Sequence, residues 1–460
     1  MPLAEKVGGE HKGEQVPLKK IAAASTVGTI IEAYDFVLYG TVAALVFDKL
    51  FFPTANPVIG TLAALATFGV GFLARPLGGV LFGHFGDKVG RKSMLIITLL
   101  TMGIATVLIG LLPGYDSIGV LAPILLVTLR LVQGLALGGE WGGAVLMVTE
   151  YAPKGRRGFY GSWPQIGFAG GLFISTGLIL LLQGVMSEAA FNSWGWRLPF
   201  FFSAVLVAVG LWVRLKIEET PAFARLQREQ GQAKLPAAEV FREHPKDILR
   251  GVGLRFSENL TFYMLIVFSL SYGEEKLGIP RTTLLAAIML AAAGSFIAVP
   301  FFGWLSDRVG RRPVYFWGAV ASVVLAVAFF PLLHTASLLV ILVAFVVTMN
   351  TAHDAQYGPQ AAYFAELFST RLRYSGISIA AQLGGVLAGA FAPVIATALL
   401  AAGGITWVAV YFAAGCAVTV VAAFLTPETY HRDLDEAEPR PAEREGRFVR
   451  DRELAEAGRT

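Results

Sequence analysis

A ten-residue charged block occurs twice in this sequence, as GHFGDKVGRK at residues 83–92 and as GWLSDRVGRR at residues 303–312. Both copies read G-x-x-x-D-x-x-G-R-[KR], and each separates two long apolar runs. Glycine lets a chain turn tightly, and aspartate can accept hydrogen bonds from a nearby arginine or from the start of a helix. The repetition therefore predicts two related halves with this turn at equivalent places.

The composition predicts that both halves lie in a membrane. Hydrophobic residues make up 55% of the 460 residues and charged residues 15%, whereas a soluble domain carries about 25% charge. The mean hydropathy is +0.62. The single Cys416 excludes an internal disulfide. The polar N-terminus and the length of the first apolar run argue against a cleavable signal, and we expect no nucleic-acid partner because no basic stripe is present.

Continuous apolar runs of about 20 residues predict helices that cross a bilayer. We therefore expect an all-α membrane protein with twelve transmembrane helices in two six-helix bundles. The predicted spans are 19–47, 58–82, 93–112, 118–149, 160–184, 196–216, 250–272, 282–304, 313–331, 336–364, 374–401 and 404–425. The predicted domains are a tail at 1–18, a bundle at 19–216, a linker at 217–249, a bundle at 250–426 and a disordered tail at 427–460.

The distribution of lysine and arginine predicts the orientation. The short loops after spans two, four, eight and ten carry eleven of these residues, and the loops on the other side carry four. Basic loops stay in the cytoplasm. We expect a multi-pass protein of the plasma or inner membrane with both termini and the linker in the cytoplasm.

A second repeated pattern predicts a cytoplasmic gate. Glu150 precedes Arg157 by seven residues, and Glu366 precedes Arg373 by seven. Together with the repeated block, these charges could hold the two bundles together on the cytoplasmic side; a purely structural turn is the alternative. The predicted gate residues are Gly83, Asp87, Gly90, Arg91, Glu150, Arg157, Asp307, Arg308, Arg311, Glu366 and Arg373.

The repeated block resembles the signature of the major facilitator superfamily. The chain is most similar to its metabolite:proton symporter branch, which includes transporters of shikimate, α-ketoglutarate, citrate, and proline or betaine. The resemblance runs from residue 19 to 427 and implies the fold, alternating access and proton coupling without a cofactor, but it does not specify a substrate. The matching stretches are GTIIEAYDF at 28–36, GFLARPLGG at 71–79, RLVQGLALGGEWGGA at 130–144, EYAP at 150–153, YGPQA at 357–361 and RYSG at 373–376.

Charged residues inside the predicted spans are candidates for proton coupling. An ionisable residue at the bilayer centre costs about 2.5–3.5 kcal/mol on insertion scales, so such residues are usually functional. Asp35 and Arg130 fall at similar depth in spans one and four, and we expect Asp35 to bind the proton with Arg130 as its partner. Permanent ion pairing is the alternative. The predicted coupling residues are Glu32, Asp35, Arg75, Arg130 and Glu140.

Polar and aromatic side chains in both halves predict a site for a small polar organic solute. His353 and Asp354 lie near the middle of span ten, where a structural histidine is the alternative. Arg255 and Glu258 could form only an ion pair. We infer that the second half contributes more to substrate choice. The predicted substrate residues are Tyr39, Gln133, Trp141, Gln165, Asn259, Tyr263, His353, Asp354, Tyr357, Gln360 and Gln382.

These features predict a secondary active transporter, not an enzyme. We expect proton-coupled uptake of a small organic acid or zwitterion; a proton-antiporting exporter of metabolites or drugs is the alternative. The sequence has no H-E-x-x-H or G-x-S-x-G motif that would favour an intramembrane enzyme. We expect a monomer in the bilayer, with the proton as coupling ion, no cofactor and no metal site.

Overall fold

The computed structural model describes residues 18–53, 57–89, 91–138, 140–215, 236–368 and 372–432. These residues form helices at all twelve predicted spans, and none of them forms a strand. We number the helices α1 to α12 in chain order. Their bounds are Leu18–Val42, Pro57–Val89, Arg91–Leu111, Leu121–Gly138 with Glu140–Tyr151, Arg157–Val185, Arg197–Leu215, Pro245–Tyr263, Arg281–Val309, Arg311–His334, Leu338–Leu367, Arg373–Gly403 and Ile405–Leu425.

Eleven of these helices are long and apolar enough to cross a bilayer. The exception is α7, which continues beyond Tyr263 as far as Glu275. Its first half carries several charged residues, among them Arg250, Arg255 and Glu258. A charged helix can lie at membrane depth where its charges face the protein interior, and Arg255 and Glu258 line an interior cavity. The all-α membrane fold is confirmed, with a polar helix at the seventh position.

The helices pack in the same pattern in the two halves. In the first half α1 packs on α5, α2 on α4 and α3 on α6; six helices later α7 packs on α11, α8 on α10 and α9 on α12. The contacts between the halves follow the same rule, because α5 packs on α8 and α11 packs on α2. A duplicated six-helix unit produces this pattern.

The repeated block is mostly helical and not a loop as its charges suggested. Helices α2 and α8 run to Val89 and Val309, several residues past the predicted ends at 82 and 304. Hydrophobicity marks only the part of a helix that lies in lipid, so charged turns beyond it are missed. In the second copy the chain turns at Gly310, whose φ of 101° favours glycine.

Four of the spanning segments contain a π-helical turn. These turns lie at Ala43–Phe47 after α1, Met264–Phe268 after α7, Thr348–His353 within α10 and Val386–Ala390 within α11. A π-turn inserts one residue into the helical register and is frequent at functional sites. In α10 it ends at His353, so it sets the direction of the His353 and Asp354 side chains.

Candidate functional site

A cavity lies between the two halves of the protein. Helices α1, α2, α4 and α5 line it on one side, and α7, α10 and α11 on the other. Its empty volume is about 610 Å³, a figure that includes the gaps between side chains and space open to solvent. Its aromatic lining comprises Phe36, Trp141, Phe168, Phe262, Tyr263 and Tyr357. Its polar lining comprises Thr29, Glu32, Arg75, Arg255, Glu258, Asn259 and Gln382.

Two arginines, one from each half, face this cavity. The guanidinium carbon of Arg75 lies 4.2 Å from the ring centroid of Phe36 and 4.1 Å from that of Phe72. The guanidinium carbon of Arg255 lies 4.7 Å from the ring centroid of Trp141. Packing against aromatic rings holds a guanidinium in place while its edge stays available for hydrogen bonds. The two halves therefore present one oriented cation each to the same space.

Three buried polar atoms of the cavity have no hydrogen-bond partner within the described part of the chain. They are Nε of Arg75, Nε of Arg255 and Oε2 of Glu32. A buried polar atom without a partner costs about 1–3 kcal/mol. A bound molecule that accepts from the arginines and donates to Glu32 would remove these penalties.

The predicted proton pair lies outside this cavity, inside the first half. Asp35 Oδ1 accepts a 2.6 Å hydrogen bond from Ser203 Oγ of α6. Arg130 donates to Gln133 Oε1 at 3.1 Å and lies 4.1 Å above the ring of Tyr39. The charges of Asp35 and Arg130 interact with each other. The predicted substrate residues Tyr39 and Gln133 therefore surround Arg130, not the cavity.

A smaller cavity lies between Arg130 and the larger cavity. Arg130, Gln133 and Arg75 line it together with Phe36. Because Arg75 and Phe36 also line the larger cavity, they form the wall between the two spaces. Arg75 thus lies between a solute in the larger cavity and Arg130, the predicted partner of Asp35.

Glu140 forms an ion pair that the sequence did not predict. Its partner is Arg214 of α6, which also donates to the carbonyl of Leu95 in α3. Gly28 of α1 makes room for the pair, since a Cβ there would lie 2.8 Å from Arg214 Nη2. Arg214 stands near the end of its span, where a charged residue usually belongs to the following loop. Only the apolar residues before it indicate that Arg214 lies in the helix. Glu140 does not line the cavity.

His353 and Asp354 lie behind the cavity wall. His353 Nδ1 is 2.8 Å from Asp354 Oδ1, and its Nε2 is 3.5 Å from Glu258 Oε1. Glu258 Oε2 is also 3.2 Å from Arg255 Nη1 and accepts from Asn259 at 2.9 Å. His353 and Asp354 therefore act on the cavity through Glu258, while the predicted residues Trp141, Asn259, Tyr263, Tyr357 and Gln382 line it directly.

Gln165 connects the halves beside the cavity. It accepts from Trp141 Nε1 at 3.0 Å and donates to the carbonyl of Tyr357 at 3.2 Å. Gln360 lies beyond it, bonded to the Tyr315 hydroxyl at 2.9 Å and to Arg255. These two predicted substrate residues orient the lining side chains and do not line the cavity.

The second copy of the repeated block joins the two halves. Asp307, near the end of α8, accepts 2.8 Å hydrogen bonds from the backbone N–H groups of Gly158 and Phe159 in the first turn of α5. Arg311 holds Asp307 at 2.7 Å and Glu366 at 3.2 Å. A carboxylate at a helix N-terminus is stabilised by the helix dipole, so one half caps a helix of the other.

The second predicted pattern contributes weaker contacts between the halves. Arg373 Nη1 lies 3.9 Å from Glu150 Oε1, and Arg157 donates to the carbonyl of Arg432 at 2.8 Å. Arg308 lies over Trp304 of its own helix, 4.0 Å from the ring centroid. In the first copy of the block, Gly90 lies outside the described residues, and only the backbone is described for Gly83, Asp87 and Arg91.

Comparison with known proteins identifies the family. A family model described as Major Facilitator Superfamily matches residues 26–381 and 253–455. The chain belongs to the major facilitator superfamily. It is 46% identical to the shikimate transporter of Escherichia coli (strain K12), over 89% of this chain and 95% of the relative. It is 36% identical to the proline/betaine transporter of the same strain, over 92% of this chain and 86% of the relative.

The fold of this facilitator agrees with solved structures. The proton:xylose symporter XylE bound to 6-bromo-6-deoxy-D-glucose superposes with a TM-score of 0.72 at 18% identity, covering 91% of this chain and 98% of that one. At this identity the likeness concerns the fold alone. The predicted family and the predicted class, a membrane transporter and not an enzyme, are confirmed by the family and its relatives.

Proposed function

We propose that this facilitator imports a small organic acid together with protons, with shikimate as the first candidate. The observation that carries the proposal is the pair Arg75 and Arg255, which face one cavity from opposite halves with an Nε atom of each lacking a partner within the described residues. Two guanidinium groups repel each other. A carboxylate between them offsets this repulsion and accepts charge-assisted hydrogen bonds from both. The named substrate of the relative at 46% identity supports this choice.

The remaining lining suits a compact hydroxylated ring. Phe168 and Phe262 meet edge to face, with centroids 4.9 Å apart, and can pack against an apolar ring face. Glu32 Oε2 can accept from a hydroxyl group. An ammonium group could take the same place, so a zwitterion such as proline or betaine, the substrates named for another relative, is the neighbouring possibility.

We infer that Asp35 carries the coupling proton and that Arg130 is its partner. Arg75 then couples proton binding to substrate binding, because it lines both cavities. The contacts of Asp307, Glu150 and Arg157 across the halves would close the cytoplasmic side and break when the substrate is released inside. In this proposal the protein lies in the inner membrane with both termini in the cytoplasm, acts as a monomer, and uses no cofactor besides the proton.

A binding experiment with purified protein tests the proposal. We expect shikimate to bind the wild type, and the variants Arg75→Gln and Arg255→Gln to bind it about tenfold to a hundredfold more weakly, because each loses a charge-assisted hydrogen bond of about 1.5–3 kcal/mol. Arg197→Gln is the matched control, since Arg197 donates to the carbonyls of Ser193 and Leu112 outside the cavity. Isothermal titration calorimetry measures all four affinities.

Three results would change the assignment. Equal shikimate affinity in the wild type and both cavity variants would remove the arginine pair from the site. Binding of glycine betaine or proline in place of shikimate would make the substrate a zwitterion. Solute efflux from proteoliposomes driven by an inward proton gradient would favour the exporter alternative.

A further inference from the structure

The second half holds a buried charged cluster that the Asp35–Arg130 pair does not use. Its members are Arg255 and Glu258 on α7 and His353 and Asp354 on α10. Glu258, His353 and Asp354 expose 5%, 2% and 0% of their surface. Only Arg255 and Glu258 line the cavity, so the cluster connects the cavity to an interior proton-binding side chain.

His353 is held between two carboxylates. Its Nδ1 faces Asp354 Oδ1 at 2.8 Å and its Nε2 faces Glu258 Oε1 at 3.5 Å. Nε2 makes no hydrogen bond within the described part of the chain, but carboxylates on both sides of the ring favour its doubly protonated, cationic form. Arg255 and His353 then balance Glu258 and Asp354, and the cluster has no net charge.

Other titratable groups face the cluster from the surrounding helices. Glu32 of α1 and Arg75 of α2 lie across the cavity. Tyr263, Tyr315 and Tyr357 contribute neutral hydroxyl groups from α7, α9 and α10. From α8, Ser295 bonds Asn350, which in turn bonds Asp354 at 2.8 Å, and these groups are uncharged.

We propose that Glu258 is a second proton-binding group, which takes up a proton when the carboxylate of the substrate engages Arg255. This inference rests on the proposed function. A substrate carboxylate at the Nε of Arg255 brings a second negative charge to this cation, so one negative charge is left without a counter-charge. An uncompensated buried charge is strongly destabilising. A proton from the external solution that bonds to a Glu258 oxygen restores neutrality, and it leaves again when the substrate does.

Glu258 is a better proton acceptor than Asp354 in this cluster. Asp354 keeps both of its partners, His353 and Asn350, whether or not Arg255 turns to the substrate. Glu258 must share the nearer of its two cations with the substrate, since Arg255 lies 3.2 Å away and His353 3.5 Å away. The negative charge therefore concentrates on Glu258.

Proton uptake during binding tests the proposal. Shikimate at matched pH is added to the purified full-length protein in weak buffer, and an indicator dye reports the protons taken up per bound shikimate. Measured per bound shikimate at saturating concentration, we expect uptake in the wild type, its loss in Glu258→Gln whatever the affinity of that variant, and its recovery in Glu258→Asp. Infrared difference spectra should show a carboxylic acid band on binding that shifts in frequency between the wild type and Glu258→Asp.

The outcomes separate this inference from the proposed function. Uptake of equal size in the wild type and Glu258→Gln, or a band at the same frequency in the wild type and Glu258→Asp, would overturn the second proton site alone. Failure of shikimate to bind the wild type would instead refute the proposed substrate, and this inference with it.

Discussion

Asp35 is the residue on which the proposed coupling depends. Its carboxylate is fully buried and accepts from Ser203 at 2.6 Å. The variant Asp35→Asn keeps an oxygen for that hydrogen bond but cannot take up a proton. We expect proteoliposomes with this variant to exchange shikimate across the membrane but to accumulate much less of it than the wild type under an inward proton gradient, because only the proton on Glu258 would remain coupled.

The matched control for Asp35 lies on the same pair of helices. Tyr34 donates to the carbonyl of Pro199 in α6 at 2.7 Å. The variant Tyr34→Phe therefore removes a hydrogen bond between the same two helices but leaves the carboxylate of Asp35 in place. This variant should still accumulate shikimate. Full proton-driven accumulation by Asp35→Asn would show that another group carries the proton.

Glu140 and Arg214 should stabilise the fold as a unit. Removing one member of a buried ion pair costs about 3–5 kcal/mol, because the other charge stays buried without its counter-charge. We expect Glu140→Gln and Arg214→Gln each to lower the stability of the purified protein by about that amount, and the double variant to lose much less than the sum. Additive losses in thermal denaturation would contradict a direct pair.

The sequence locates buried charges better than it locates their partners. Asp35, Arg130 and Glu140 stand out because each interrupts an apolar run. Their contacts depend on which helices are neighbours in the fold, and the sequence does not reveal this. The sequence predicts that Arg130 and Asp35 lie at one depth and form a pair. It does not predict the hydrogen bond of Asp35 with Ser203 or the ion pair of Glu140 with Arg214.

At the scale of elements, the junction of α8 with α5 is the contact most directly suited to act as a gate. Asp307 caps α5 from the other half, and a Cβ on Gly303 would lie 2.6 Å from the carbonyl oxygen of Gly158. Asp307→Asn removes the charge from this helix start, which is worth about 1 kcal/mol. We expect the two halves to separate on this side roughly fivefold more often.

Cysteine labelling can measure that opening. Ser378 of α11 lies at the interface with Gly142 of α4, and a Ser378→Cys reporter in a Cys416→Ala background is shielded while the halves are closed. Asp307→Asn should label roughly fivefold faster, in line with its effect of about 1 kcal/mol. Arg308→Gln is the control, because Arg308 packs on Trp304 of its own helix. Equal labelling rates in both variants would remove Asp307 from the gate.

Apolar runs identify a transmembrane helix well when lipid surrounds the helix. They identify it poorly when the helix is surrounded by protein. Eleven of the helices meet a simple criterion of length and hydropathy, but α7 does not, since its first half faces protein and the cavity. The π-turn before Asp354 also has no pattern of its own in the sequence. Local composition therefore predicts where a helix lies in the bilayer, but not its register at the site.

At the scale of the whole molecule, the last described residues tie the two halves together. The segment 427–432 belongs to the tail that was predicted to be disordered; residues 433–460 lie outside the described residues. Glu428 accepts from the N–H groups of Arg311 and Arg312 at 2.9 and 3.0 Å, at the start of α9. Thr429 donates to Glu366 at 2.7 Å, and the carbonyl of Arg432 accepts from Arg157 of the first half.

Two truncations separate this segment from the rest of the tail. A chain ending at Arg432 keeps all of these hydrogen bonds and should unfold at the wild-type temperature and accumulate shikimate. A chain ending at Thr426 loses them, at about 1 kcal/mol each, and should be less stable by about 3–4 kcal/mol. Since the lost contacts lie on the side that we propose to be cytoplasmic, its Ser378→Cys reporter should also label faster. If both truncations unfold at the same temperature and label at the same rate, the segment contributes nothing to closure, and the gate consists of the helix contacts alone.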